Sequence, residues 1–258
     1  MVSIPLVSLW EKRSLIINFA WMNIKIRFRG TYLGLLWTAV EPLLLFGLLY
    51  LLFTSIRIGV KEDFAIYLLT GITLFHAFTR GTQSGLASLK ENISIISSLN
   101  IRREFFPVVS TATAGLLMFV EVAVLFALMP IFSFVPSWTV VLLPVVLVLF
   151  LFLILGMSYL LSIIFVYARD IQPLWGVFVT ALFFVTPIFW YTNDATGFAL
   201  EIQKINPVGQ LIEIAHKLVF GQIPPLDDWL YTTSFVFAIF VIGYAIFQRY
   251  EERALEQM

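Results

Sequence analysis

Six long apolar stretches, separated by short polar breaks, constrain the fold of this chain more than any other feature of the sequence. A helix needs about 20 apolar residues to cross the ~30 Å hydrocarbon core of a bilayer, and each stretch is close to that length. Hydrophobic residues make up 60% of the chain and charged residues 12%, against roughly 25% charge in a typical soluble domain. The pattern predicts an all-α integral membrane protein with six transmembrane helices.

The predicted spans are separated by breaks that contain Pro, Gly and charged residues. They cover residues 31–54, 64–89, 106–130, 138–167, 173–191 and 229–247. The second span is the least apolar, because its glycine, threonine, glutamine and serine residues suit helix contacts or a polar cavity better than lipid. We therefore expect the second span to lie inside the bundle.

We expect a single transmembrane domain over residues 1–258. It would consist of an interfacial helix at 1–30, spans 1–5 at 31–193, external helices at 194–228, and span 6 with a tail at 229–258. These segments leave no stretch of about 100 residues for a soluble catalytic domain. The absence of Cys excludes thiolate chemistry, and the net charge of zero argues against a nucleic-acid partner.

Basic residues predict the orientation of the chain, since Lys and Arg concentrate in cytoplasmic loops. With six crossings, one side receives Lys12, Arg13, Lys25, Arg27, Arg29, Lys90, Arg102, Arg103, Arg169, Arg249 and Arg253. The opposite side receives Arg57, Lys61, Lys204 and Lys217. The asymmetry predicts a multi-pass protein of the cytoplasmic (inner) membrane with both termini in the cytoplasm.

The segment before the first span has polar and apolar residues at helical spacing. Its basic residues would pair with anionic lipid headgroups, and Trp10 and Trp21 would anchor the helix in the interface. This pattern predicts an amphipathic helix at the cytoplasmic surface. A segment that only orients the first span is equally compatible with the sequence.

The connection at residues 194–228 is too polar to span, yet it contains an apolar stripe with a period near 3.6. Asn206 is a favourable N-cap, Pro207 fits the first helical position, and Gly221 fits the end of the helix. These residues predict an amphipathic helix on or dipping into the outer leaflet. An ordinary helical loop outside the membrane remains the alternative.

The cytoplasmic loop at residues 90–104 combines a short apolar stripe with charged residues at both ends. The pattern predicts a brief helix. Both a docking element for a partner and a solvated connecting helix fit this pattern.

Six short motifs occur in order along almost the whole chain. They are residues 27–37 (RFRGTYLGLLW) with Glu41-Pro42, residues 67–72 (YLLTGI), 100–107 (NIRREFFP), 167–171 (YARDI), 186–188 (TPI) and 206–208 (NPV). Together they resemble the membrane subunit of type-2 ABC exporters for polysaccharides and polyol phosphates, a family that exports O-antigen, capsule and teichoic acid. The fourth motif departs from the family, because Tyr-Ala stands where an aromatic residue usually precedes Arg directly.

The resemblance implies a permease that forms a homodimer and binds two copies of a separate cytoplasmic ABC ATPase. This sequence contains no Gly-x-x-x-x-Gly-Lys-Ser/Thr phosphate loop, so we expect no enzyme activity and no cofactor in this chain, with ATP and Mg²⁺ on the ATPase. The implied substrate is a glycan or teichoic-acid-type polymer on an undecaprenyl-type lipid, and the external helices would act as a gate. The ATPase contacts implied by the resemblance are Lys90, Ile93, Ile96, Asn100, Arg102, Arg103, Glu104, Arg169 and Asp170.

A sugar polymer needs a lined channel, since each hydroxyl that loses water without gaining a partner costs about 1–3 kcal/mol. Aromatic rings can stack on the C–H faces of sugars and still let the polymer slide. The candidate channel residues are Trp37, Tyr67, Phe75, Phe78, Trp175, Phe183, Phe184, Trp190 and Tyr191. With 26 Phe in the chain, most aromatic residues must instead face lipid, core or headgroups.

Three ionisable residues fall inside predicted spans, namely Glu41, Arg80 and Glu121. Each costs about 2.5–3.5 kcal/mol at a helix centre unless it faces water or a partner. Glu41 could line the cavity and Arg80 could meet the lipid pyrophosphate, but a structural Glu41–Arg80 pair is slightly favoured. His76 and His216 are expected to be structural, because neither has a second ligand at metal spacing.

Two other classes of function remain. A type-2 ABC permease for a drug, a peptide or a simple lipid is the nearer alternative. A polytopic enzyme acting on lipid-linked sugars would need a carboxylate or His constellation at the membrane surface, and the external acidic residues form no such motif.

Overall fold

The computed structural model describes residues 12–56, 61, 63–98, 102–194 and 196–255. Every regular element within them is helical, which confirms the predicted all-α class. The α-helices are α1 (Arg13–Arg27), α2 (Trp37–Ile56), α3 (Phe64–Glu91), α4 (Ile93–Ser98), α5 (Phe105–Leu128), α6 (Leu143–Tyr167), α7 (Ile171–Val185), α8 (Phe198–Ile205), α9 (Pro207–Val219) and α10 (Leu226–Leu255). Short 3₁₀ turns occur at Gly34–Leu36, Met129–Phe132, Trp138–Leu142 and Thr192–Asp194.

Four helical stretches are long and apolar enough to cross a membrane. They are Gly34–Ile56, Phe105–Phe132, Trp138–Tyr167 and Leu226–Arg253. The other two predicted spans correspond to α3, which has 28 residues but a more polar composition, and to α7, which is apolar but has only 15 residues. The multi-pass architecture is therefore supported by four helices, whereas the six crossings remain a prediction for α3 and α7.

Helix α3 lies at the centre of the bundle, packed against α5 on one side and α6 on another. Of its 28 residues, 21 are buried, as expected for the span with the most small and polar side chains. Helix α10 packs along α6, and α2 and α7 lie at the periphery with few of their side chains buried. The polar helix is thus enclosed by the apolar ones.

Helices α6 and α10 approach closely where two glycines face each other. A Cβ atom added at Gly156 of α6 would lie 2.7 Å from Cα of Phe240, and one added at Gly243 of α10 would overlap the Gly156 carbonyl oxygen. Small residues at such crossings let two backbones come into van der Waals contact, which is a main source of helix association in membranes.

The N-terminal helix α1 packs against the start of α5. Phe19 meets Phe105 edge to face with 5.4 Å between ring centroids, and Ala20 and Ile24 are buried. Trp21, on the other face, is exposed. The helix at the predicted place is therefore present, its interfacial location stays a prediction, and Trp10 lies outside the described residues.

Helix α9, which is predicted to be external, begins and ends at the predicted residues. The Asn206 side chain accepts a hydrogen bond from the Gly209 backbone N–H at 3.1 Å, Pro207 is the first helical residue, and Gly221 has φ +81° after the last turn. The apolar face of α9 is buried against α3, α6 and α10. The apolar stripe therefore meets protein, and the place of α9 on or in the outer leaflet stays a prediction.

Candidate functional site

Four ionisable side chains from three helices form a cluster inside the bundle. Arg80 of α3 donates to Oε1 of Glu121 on α5, and both side chains are buried. Nδ1 of His76 lies 2.8 Å from the same carboxylate oxygen. Nε2 of His76 lies 3.3 Å from Oε2 of Glu41 on α2. The cluster therefore joins α2, α3 and α5.

The spacing of α3 explains this arrangement, since His76 and Arg80 are four residues apart and share one helix face. The predicted Glu41–Arg80 pair is wrong. Arg80 pairs with Glu121, and Glu41 contacts His76 instead. Nε and Nη2 of Arg80 and Oε2 of Glu121 are buried without a hydrogen-bond partner among the described residues. Arg80 and His76 share the Glu121 carboxylate, and this shared contact offsets only part of the desolvation cost of burying the charges.

Glu41 differs from the other members because its side chain is 70% exposed, whereas that of Glu121 is 1% exposed. His76 is thus a bridge between a buried ion pair and a carboxylate on the open face of α2. Sequence reasoning treated His76 as structural and did not link it to the charged residues. The His-Arg spacing of four residues was the available signal.

The nine aromatic candidates for the channel occupy different environments. Buried are Tyr67, Phe75, Phe78 and Trp175; partly buried are Phe183, Trp190 and Tyr191; exposed are Trp37 and Phe184. The buried rings pack against other side chains of the same chain, for instance Phe75 against Phe183 with centroids 5.3 Å apart. The Trp175 indole N–H also has a partner, the Thr82 hydroxyl at 3.1 Å. Trp37 and Phe184 are the two candidates that face outward, and a channel role for the set remains a prediction.

The end of α3 and the short helix α4 form the region implied to contact an ATPase. The Lys90 ammonium lies 4.5 Å from the centroid of the Phe165 ring, a cation–π contact that joins the ends of α3 and α6. Ile96 is buried against the cluster around Phe105, and Ile93 is partly buried. The predicted brief helix is thus present as α4, and Asn100 lies outside the described residues.

The charges after α4 are only partly available to a partner. Glu104 is 1% exposed and forms an ion pair with Arg102, whose Nε lies 3.0 Å from its carboxylate. Burial raises the pKa of Glu104, and the nearby Arg102 opposes that shift. Arg103 is partly exposed, and Arg169 and Asp170 are exposed in the turn between α6 and α7. Because Lys90 joins α3 to α6, all these residues lie at one end of the bundle.

Helix α9 and the loop before it form the opposite end. The Asn206 amide donates to the Thr186 hydroxyl at 3.0 Å, so the cap of α9 is tied to the end of α7. The Tyr67 hydroxyl donates to the Trp190 carbonyl at 2.9 Å, which ties the start of α3 to the same loop. Among the described residues, no three His, Asp or Glu side chains are grouped at metal-binding distance.

The sequence of this chain matches a known protein family over most of these helices. The sequence model of a family described as ABC-2 type transporter matches residues 15–220, from α1 through α9. The chain belongs to the ABC-2 type transporter family. The family predicted from the six motifs is confirmed, and membership implies partnership with an ABC ATPase subunit.

Individual relatives of this ABC-2 transporter chain extend the match. An O-antigen export system permease protein RfbA of Myxococcus xanthus is 28% identical over 208 residues, which is 79% of each chain. One with the same name from Klebsiella pneumoniae is 23% identical over 240 residues, which is 91% of each chain. The similarity to the second permease therefore extends over nearly the whole chain.

Proposed function

We propose that this chain is the transmembrane subunit of an ATP-driven exporter for a lipid-linked polysaccharide or a related teichoic-acid-type polymer. The observation that carries the substrate class is the similarity over 91% of both chains to a permease named for O-antigen export. Two copies of the chain would sit in the cytoplasmic membrane with both termini in the cytoplasm, bound to two copies of an ATPase that holds ATP and Mg²⁺. The ATPase, and not this chain, hydrolyses ATP.

The polymer route lies along the exposed faces of α2 and α7. A sugar chain that crosses ~30 Å of hydrocarbon needs partners for its hydroxyls and aromatic surfaces for its C–H faces. Trp37 and Glu41 on α2 and Phe184 on α7 are exposed and supply both kinds of surface. A second copy of the chain closes the route from the other side.

The end of the bundle that carries α4 receives the ATPase. Arg103, Arg169 and Asp170 are accessible there, and the buried Ile96 fixes α4 to the core. A displacement of α4 by the ATPase is transmitted to α3, because Lys90 contacts α6 and Ile96 packs against α5. The charged cluster on α3 then carries the displacement to Glu41.

Polysaccharide at the cell surface tests the proposal. Deletion of the chain should remove surface polymer and leave lipid-linked polymer inside the cell. Trp37→Ala should lower surface polymer roughly two- to tenfold, the effect of losing about 0.5–1.5 kcal/mol of ring stacking. The matched control is Trp138→Ala, which removes another exposed Trp that lies at the opposite end of the bundle.

Both variants are compared at equal protein level and equal ATPase copurification. Full export by Trp37→Ala would contradict the route along α2. Intact surface polysaccharide after deletion, together with loss of resistance to a drug, would instead assign the chain to the drug-permease alternative.

A further inference from the structure

A groove of about 560 Å³ lies between α6 and α10, at the end of the bundle that carries α4. The two helices touch at Gly156 and Gly243, and from there both continue in the same direction to the groove. The part of the groove nearer to this crossing has apolar walls, which include Ile164 of α6 and Ile246 of α10. Its volume lies within the roughly 300–1,000 Å³ that is usual for ligand sites.

The far end of the groove carries three polar side chains that a ligand can reach. Tyr167, the last residue of α6, is 42% exposed; Tyr250 is partly exposed and Arg253 is exposed. The two tyrosine rings meet edge to face with 6.5 Å between their centroids. The groove therefore combines apolar walls with one end that offers hydrogen-bond donors, one of them a charged guanidinium.

The length of α10 indicates the depth of these side chains in a bilayer. The apolar stretch Leu226–Arg253 has 28 residues. At 1.5 Å per residue it is about 42 Å long, close to the ~40–45 Å thickness of a bilayer with its headgroups. Arg253 then lies in a headgroup layer, and Tyr250 lies one turn deeper, at the membrane–water interface where Tyr is enriched. Ile246 lies a further turn deeper, among the acyl chains.

The charges on α10 favour an anionic occupant. Arg249 and Arg253 are exposed and four residues apart, so they lie on one side of the helix, and Arg253 lines the groove. Glu251 and Glu252 lie on other sides of α10, about 100° around the helix from the nearest lining residue. The C-terminal ends of α6 and α10 carry only partial negative charges, smaller than the full charge of each guanidinium.

We propose that this groove is a binding site for an anionic diacyl phospholipid. One acyl chain lies between Ile164 and Ile246, and the phosphate accepts hydrogen bonds from Arg253 and from the Tyr250 hydroxyl. Basic pockets between transmembrane helices bind anionic headgroups in the same way. The site requires only that α6 and α10 span the bilayer, so it does not depend on the exported substrate. Bound lipid joins α6 to α10 beyond their glycine crossing.

Native mass spectrometry of the chain with its ATPase in detergent tests the site. The probes are dioleoyl phosphatidylglycerol, which is anionic, and dioleoyl phosphatidylcholine, which has the same acyl chains and no net charge. We expect one retained phosphatidylglycerol per copy of the chain, bound about fivefold more tightly than phosphatidylcholine. Equal binding of the two lipids, the behaviour of lipids that only surround the protein, would overturn the site.

Arg253→Gln tests the contact with the headgroup. It should weaken the binding of phosphatidylglycerol about fivefold and leave that of phosphatidylcholine unchanged. The matched control is Lys204→Gln, which removes one exposed positive charge at the opposite end of the bundle and should change neither affinity. Unchanged binding of phosphatidylglycerol by Arg253→Gln would contradict the site. If this variant instead loses the ATPase and keeps the lipid, the ATPase occupies the groove and the lipid site is wrong.

Ile246→Trp tests the acyl-chain contact, because the larger side chain fills the groove. It should weaken the binding of both lipids severalfold. Ile242→Trp, one turn earlier on α10 and 56% exposed, adds the same volume outside the groove lining and should leave both affinities unchanged. Thermal unfolding without added lipid checks that all variants fold equally. Full lipid binding by Ile246→Trp, with or without loss of the dimer, would show that the lipid does not occupy this groove.

Discussion

Helices α2 and α3 are neighbours with opposite relations between composition and burial. Helix α3 contains His76, Arg80 and many hydroxyl groups, yet 21 of its 28 residues are buried. Helix α2 is much more apolar, yet only four of its 20 residues are buried. A soluble protein would show the reverse. In a membrane, polar side chains must find partners inside the protein, whereas apolar side chains are stable when they face the hydrocarbon.

The comparison also explains which contacts hold each helix. Lipid tails are as apolar as Leu, so burial of apolar area adds little to helix association in a membrane. Helix α3 is held by close packing and by its ion pair with α5, whereas the contact between α2 and the cluster passes through His76. Substitutions on α3 and its partners should therefore cost far more than matched substitutions on α2.

The largest difference is expected between the two carboxylates of the cluster. Glu121→Gln leaves the buried Arg80 charge without its counter-ion and should lower the free energy of unfolding by about 3–5 kcal/mol. Glu41→Gln, the matched control on α2, removes an exposed partner of His76 and should cost less than about 1 kcal/mol. SDS titration of the purified chain in detergent measures both. Equal losses would contradict the contrast between the helices.

Glycine substitutions test the close packing of the helices and leave every charge unchanged. Gly243→Ala places a methyl group against the Gly156 backbone and should destabilise the chain by about 1–3 kcal/mol. Gly47→Ala on α2 is the matched control, since its new Cβ meets no atom within 4 Å. It should be neutral or stabilising by up to ~1 kcal/mol through helix propensity. The same SDS titration applies, and an unchanged midpoint for Gly243→Ala would refute the contact between α6 and α10.

The pH dependence of stability extends the comparison to α9, with a smaller expected effect. The folded chain keeps His216 neutral because burial lowers its pKa to about 3, whereas the unfolded chain protonates it below about pH 6.5. The unfolded state binds more protons, so stability falls as pH falls between these values. From pH 7.5 to 5.5 the loss should be about 1 kcal/mol. His216→Gln should remove this part of the slope in thermal unfolding; an identical slope in both proteins would show that His216 does not titrate in this way.

Local patterns predicted the helices well. The predicted spans at 31–54 and 138–167 correspond to Gly34–Ile56 and Trp138–Tyr167, because length and apolar composition fix such elements. Asn206 and Gly221 marked the ends of α9 for equally local reasons, a side-chain cap and a positive φ. The low hydropathy of the second span also predicted its interior position.

Contacts between distant segments were not predictable in the same way. Arg80 was expected to pair with Glu41 on the adjacent span, but the partner Glu121 lies on α5, 41 residues further along. A hydrogen bond and a ring contact also join Tyr67 and His216, which are 149 residues apart. No local period indicates which helices become neighbours. The chemistry of the buried residues was therefore readable from the sequence, and their partners were not.

The shared carboxylate of Glu121 also has a consequence for biosynthesis. The chain is made from its N-terminus, so Arg80 leaves the ribosome 41 residues before Glu121. At a translation rate of about 5–20 residues per second, Arg80 has no counter-ion for roughly 2–8 s. During that time an unpaired guanidinium opposes transfer of α3 into lipid. If α3 crosses the membrane as predicted, its stable insertion should therefore be completed only after α5 has been made.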